Sequence, residues 1–266
     1  MNKKILSIFV MIMALSLFGV SCSNEDSTGT GGNNSGNTND TTKPDGLAST
    51  YDGTWYFYSE DGKIKWDTIT IANGGITGLK KSSGEAIDFV KDNFNSEVFI
   101  DTNPPASKNY VVYKDGYTGN INLNADIAYI KIKDSSKAVI IEGMLSKTQR
   151  SATIDATHVG QYQYTSTSGG FSYTLDVKTD SVSFAITSSS GGTEKTYKMP
   201  AAYFTKTVNS YTCNALNYPD TVLDFDNRKF SITYINVYYS ASDANFSGVT
   251  SSSSRTAFKT VAYTKQ

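Results

Sequence analysis

Apolar and polar residues alternate along most of this chain with a period of two. Strand side chains switch faces at every residue, so the alternation predicts half-buried β-strands. In the first half it predicts strands at 110–113, 121–123, 127–132 and 138–145. In the second half the candidates are 182–186, 222–225, 230–239 and 257–263. Further alternating runs carry Ile64, Trp66, Ile69 and Ile71, and then Phe171, Tyr173, Leu175 and Val177. Turn residues punctuate them at Asp61-Gly62, Asn73-Gly74-Gly75, Asp115-Gly116, Gly169-Gly170, Gly191-Gly192 and Asp226-Asn227. One segment reads two ways. Ser82 and Glu85 have capping-box spacing, with Ile87, Val90 and Phe94 on one helical face, yet the same residues also read as a strand.

Two stretches near the start break the pattern. Residues 5–18 are almost wholly apolar, preceded by Lys3 and Lys4 and followed by Gly19, Val20, Ser21 and Cys22. About fourteen apolar residues are too few to span a bilayer, which takes about 20. A charged start, a short apolar run and small residues before Cys22 predict a signal peptide over 1–21. This arrangement resembles the leader of a bacterial lipoprotein, although Gly19 stands where that family prefers Leu. The resemblance implies cleavage before Cys22 and acylation of its new N-terminus, palmitate included. Two or more acyl chains make a stable anchor. It further implies an outer-membrane or cell-surface location, with Ser23 and the acidic pair Glu25-Asp26 following the lipid.

Residues 22–48 are then mostly Ser, Thr, Gly, Asn and Asp. Such a composition buries too little apolar surface to offset the entropy of ordering, so it predicts a flexible tether. About 25 residues of this kind reach about 25–30 Å on average.

The remainder divides at an internal similarity. Residues 50–59, beginning Thr50 and containing Gly53, Trp55 and Phe57, line up with residues 157–166, containing Gly160, Tyr162 and Tyr164, at a constant offset of 107. We therefore expect one β-domain over 49–150 and a repeat of it over 151–266. Six to eight short strands in about 100 residues fit a small antiparallel barrel, or less well a β-sandwich. Gly53-Thr54-Trp55 resembles the Gly-x-Trp element that opens lipocalin-like barrels; Gly160-Gln161-Tyr162 departs from it. The resemblance implies an all-β fold of two tandem lipocalin-like barrels. It also implies a basic side chain covering the Trp, for which Arg150 and Arg255 are the candidates.

Composition narrows the chemistry. The formal net charge is −1, charged residues are 18% of the chain, and Arg150, Arg228 and Arg255 lie far apart. Nucleic-acid binding needs clustered cations to neutralise phosphates, so it is not expected. Of two cysteines, Cys22 takes the lipid and Cys213 is left with apolar neighbours, which predicts a buried, inert thiol. His158, the single histidine, is too little for the usual zinc sites, and we expect no metal and no cofactor. Asp220, Asp224, Asp226 and Asn227 lack the Gly and terminal Glu of an EF-hand loop and read as a hairpin turn. No nucleophile elbow or phosphate-binding loop is present, and the acids are scattered without a visible way to pair. The expected role is non-catalytic.

Aromatic residues make up 12% of the chain, 18 of them Tyr. Tyr suits both a ligand cavity and a half-buried sheet face. With Trp55 and Phe57 inward, Tyr56 and Tyr58 face outward and would form a surface stripe. The expectation is a lipid-anchored binding module for a small apolar or carbohydrate ligand or a surface partner. The alternative is a structural or interaction protein of the envelope whose barrels are filled. A hydrolase using unrecognised carboxylates is the remote third. Bulky inward positions, such as Trp66, Ile69, Ile71, Phe99, Tyr173 and Leu175, would make the barrels solid, whereas a pocket above about 300 Å³ would favour a ligand.

Overall fold

A computed structural model describes residues 45–65, 67–97, 108–151, 153–166, 169–188, 190–240 and 250–266. The leader, Cys22 and the tether up to residue 44 lie outside them, as do Trp66 and Phe99. The described residues form an all-β fold with only short 3₁₀ turns besides. None of their helices is long and apolar enough to cross a membrane.

The first half contributes β1 (Gly53–Ser59), β2 (Asp67–Ala72), β3 (Gly75–Lys80), β4 (Ala86–Phe89) and β5 (Phe94–Glu97). It continues with β6 (Lys108–Lys114), β7 (Tyr117–Leu123), β8 (Ile127–Asp134) and β9 (Val139–Ser146). They pair in the order β4-β3-β2-β1-β9-β8-β7-β6-β5, a nearly closed antiparallel barrel-like sheet. Closure comes from the first strand pairing with the last, Phe57 opposite Leu145 and Tyr58 opposite Met144. A 3₁₀ turn, Lys91–Asn93, spans the seam between β4 and β5.

The 82–94 segment is therefore not a helix. Ile87 and Phe89 are buried while Ala86 and Asp88 are exposed, a period of two that leaves Val90 out in solvent.

The second half runs through β10 (Gly160–Thr165), β11 (Phe171–Val177), β12 (Ser181–Ser188), β13 (Thr193–Pro200), β14 (Phe204–Lys206) and β15 (Tyr211–Cys213). It ends with β16 (Val222–Asp224), β17 (Lys229–Ser240), β18 (Thr250–Ala262) and β19 (Thr264–Lys265). These make two five-stranded sheets, β13-β12-β11-β10-β19 and β14-β15-β16-β17-β18. The circuit is that of the first half: a four-strand meander, a 3₁₀ turn (Ala201–Tyr203), then strands returning to meet the first. The difference is a break at Tyr263, which is buried against Phe230 and Tyr164 and separates β18 from β19.

The halves also agree in side-chain detail. Trp55 Nε1 donates to the Tyr51 carbonyl at 2.9 Å, and the Tyr162 hydroxyl donates to the His158 carbonyl at 2.9 Å. The Ala48 amide donates to the Tyr110 hydroxyl and the Asp155 amide to the Tyr211 hydroxyl, both at 3.1 Å. Gly53 and Gly160 open their strands at φ +136° and +143°, a backbone state that side chains oppose. Over Trp55 lies Lys147, its Nζ 5.3 Å from the ring and bonded to the Thr50 carbonyl; over Tyr162 lies Lys265, 5.4 Å away and bonded to the Thr157 carbonyl. Lysines thus cover both rings, where arginines were expected. Arg150 instead gives its backbone amide to the Tyr58 hydroxyl, and Arg255 is opposite Ile235 in the β17–β18 ladder.

Two apolar cores result. One holds Trp55, Phe57, Ile69, Ile71 and the inward residues of β6 to β9; the other holds Tyr162, Leu175, Phe184, Tyr203 and Phe230. Ile69, Ile71 and Leu175 are fully buried, whereas Tyr173 is half-buried. No strand ladder joins the halves among the described residues, yet the described residues of both halves belong to one compact unit.

Candidate functional site

The strand alternation that fills the first core also sets an outward row. On β8, Tyr129 and Lys131 alternate with the inward Ala128, Ile130 and Ile132; on β9, Glu142 and Met144 alternate with Ile141 and Leu145. Lys131 and Glu142 are opposite one another in the ladder, the arrangement in which opposite charges attract across strands. Tyr58 stands next to Met144 in the same row. This face is covered by the second half. Tyr58 and Met144 belong to the second core, and Tyr56 packs against it. The expected surface stripe of Tyr56 and Tyr58 is therefore an internal contact.

Where the row emerges from that contact, Glu60 follows β1 and bonds back to β9, its amide donating to the Glu142 carbonyl at 2.8 Å. Glu142 accepts from Lys131 Nζ at 2.8 Å and from the Tyr129 hydroxyl at 2.5 Å. Glu60 accepts from the Tyr218 hydroxyl at 2.5 Å and from Asn217 Nδ2 at 3.4 Å, both on the connection between β15 and β16. Burial, then the neighbouring Glu142 charge, push the Glu60 carboxyl up to about 8, against the lowering pull of Tyr218 and Lys131. Burial and the same two glutamates hold the Tyr129 hydroxyl far above its ordinary range, and burial with Glu60 does so for Tyr218.

Glu60 opens on two cavities between the halves. One, of about 280 Å³, is lined by Phe57, Glu60, Ile141, Glu142, Thr196 and Lys198 among others. The larger, of about 400 Å³, has Tyr58, Ile64, Val182 and Met199 as apolar lining, with polar side chains from Glu60, Lys65, Asp176, Lys178, Asp180 and Lys198. Lys65 is bound to Asp180 across the cleft at 3.2 Å. The side chains of Asp176, Lys178 and Lys198 have no hydrogen-bond or ion-pair partner among the described residues. Asp176, Ser183 and Lys198 are consecutive partners across β11, β12 and β13, so they share one outer row of that sheet. Mixed donors and acceptors over an apolar floor can orient a polar ligand.

The other sequence candidates lie elsewhere. His158 is stacked on Phe225, with ring centroids 4.4 Å apart, and meets Tyr211 edge-on. Cys213 is buried, and burial pushes its thiol up to about 12. Asp224 accepts from both the amide and the side chain of Asn227, so its carboxylate caps the hairpin turn. Glu60 and Glu142 escaped sequence reasoning because 82 positions separate them. Only the β1–β9 pairing brings the two acids together. Compared with protein-family models, with curated proteins and with solved structures, the chain matches none.

Proposed function

We propose that this protein is a lipid-anchored module of the bacterial envelope, held by acyl chains on Cys22 at an outer-membrane or cell surface, that binds a ligand without catalysis. The binding place is the cleft between its two lipocalin-like halves. The observation that carries this reading is the cavity of about 400 Å³ with the unpartnered side chains of Asp176, Lys178 and Lys198 on one wall. Volumes of this order, apolar with a few convergent polar groups, are typical of small-molecule sites. That polar mixture favours a carbohydrate over a purely apolar ligand.

Native mass spectrometry of protein taken from its own envelope is the test. A co-purifying mass that is lost in Asp176→Ala with Lys198→Ala supports the cleft; a bare protein mass refutes it. The anchor is checked separately, since Cys22→Ser should abolish palmitate labelling and release the protein from membranes. Persistent labelling would end the lipoprotein reading.

A second reading draws on the packed interiors, in which Ile69, Ile71 and Leu175 are fully buried. Solid halves suit a structural or interaction protein of the envelope. That reading gains if no small ligand is found and the wild-type protein cross-links to a single envelope partner.

A further inference from the structure

On the cleft wall made by β11, β12 and β13, strand geometry fixes an array of polar side chains. Asp176, Ser183 and Lys198 are successive ladder partners, so Asp176 and Lys198 stand two strand spacings apart, about 10 Å. Lys178 follows Asp176 by two residues and projects from the same face, about 7 Å along the strand. All four line the cavity of about 400 Å³, together with the apolar Tyr58, Val182 and Met199.

The other charged groups of this lining are already engaged. Lys65 is bound to Asp180 at 3.2 Å. Asp61 holds Ser59 and Lys63. Glu60 accepts from Tyr218 and Asn217. Asp176, Lys178 and Lys198 remain, lining the cavity with no partner among the described residues. An ammonium only donates and a carboxylate only accepts. A ligand complementary to this wall therefore brings acceptors to two places and a donor to a third. Bonds from the two lysines are strongest to an anionic acceptor. Lysine stems are long and flexible, so both ammonium groups can reach one anion held between them. Asp176 sets the limit: it takes a hydroxyl donor and repels a dianion.

We propose that the cleft binds a sugar acid, a pyranose carrying one carboxylate. The carboxylate lies between Lys178 and Lys198, a ring hydroxyl donates to Asp176, and the C–H face of the ring rests on the apolar lining. Ser183, between Asp176 and Lys198, adds a hydroxyl that both donates and accepts. This assignment rests on the cleft as the binding place and narrows the carbohydrate class. A neutral sugar has no anion for the two lysines, and a sugar phosphate sets up to two negative charges beside Asp176.

Saturation-transfer NMR on the full chain at pH 7, with glucuronic acid, N-acetylneuraminic acid, glucose and glucose 6-phosphate as probes, tests this. At least one of the two acids should bind about tenfold more tightly than glucose or glucose 6-phosphate. Lys178→Gln and Lys198→Gln should each weaken that acid about tenfold and leave glucose within about twofold. Both lysines are exposed, so the variants should melt as the wild type does. On the wild type alone, raising sodium chloride from about 0.02 M to about 1 M should weaken the acid and not glucose. Glucose bound as tightly as the acids, with all binding lost in Asp176→Ala with Lys198→Ala, overturns the sugar acid and keeps the cleft. Tighter binding of glucose 6-phosphate overturns it as well, as does acid binding that neither lysine variant weakens. If none of the four probes binds, the sugar acid is refuted, and the cleft is then decided by native mass spectrometry of the envelope protein.

Discussion

Replacing Trp55 with Phe and, separately, Tyr162 with Phe probes whether the first strands of the two halves are held by one device. Trp55 is fully buried, and its indole N–H is bonded to the Tyr51 carbonyl. Phe at this position removes that bond and leaves space for about three heavy atoms. A neutral hydrogen bond is worth about 1 kcal/mol, and the lost apolar burial adds about 2 kcal/mol, giving about 3 kcal/mol. Tyr162→Phe removes only the hydroxyl bonded to His158, for about 1 kcal/mol. With both halves in one compact unit unfolding together, each kcal/mol lowers Tm by about 2–4 °C. Scanning calorimetry at neutral pH should then show a drop of about 6–12 °C for Trp55→Phe and about 2–4 °C for Tyr162→Phe. Lys147→Met, which removes the cation over the Trp55 ring, should cost about 0.5–1 kcal/mol. Trp66 remains as a fluorescence reporter in the Trp55 variant. A Tyr162→Phe effect as large as that of Trp55→Phe, or a larger one for Lys147→Met, would refute the shared arrangement.

Two further outcomes follow from packing. Gly143 faces Ser59 across the β1–β9 seam, and a Cβ there would overlap the Tyr58 carbonyl oxygen and the Phe57 ring. Gly143→Ala should cost about 1–3 kcal/mol, read as a lower urea midpoint at unchanged slope; a neutral result would mean that the seam can open. In a Cys22→Ser background Cys213 is the sole thiol, and its raised value near 12 leaves almost no thiolate at pH 8. A thiol reagent should modify it more than about 100-fold more slowly in the folded protein than in urea, and comparable rates would place the thiol at the surface.

Period-two alternation located β6 to β9 and β17 to within a few residues, because each places apolar side chains on one face only. It failed at 82–94. There Ile87, Val90 and Phe94 fit a helical spacing, and only the ladder to β3, Leu79 opposite Ile87, selects the strand. Short strands such as β14 and β15 have three residues each and carry too little pattern to be seen. The shared first-strand motif was legible as Gly53, Trp55, Gly160 and Tyr162, but the identity of its cover was not. Lys147 and Lys265 are indistinguishable from other surface lysines until the last strand of each half is set beside the first. The cleft was illegible for the same reason, since it is made by two outer faces, and an outward Tyr58 looks exposed until something lies on it.

The pairing of β1 with β9 has a cost in time. Until Val139–Ser146 has been synthesised, β1 has one bare edge, and Trp55 and Phe57 lack Ile141 and Leu145 of their core. Unpaired apolar edges recruit other chains, and long-range closure is slow. The second half repeats the problem more severely, because β10 waits for Thr264 and Lys265. A growing chain of this design passes through two intervals of exposure to aggregation, the first ended by a strand about 85 residues downstream and the second by one about 100 residues downstream.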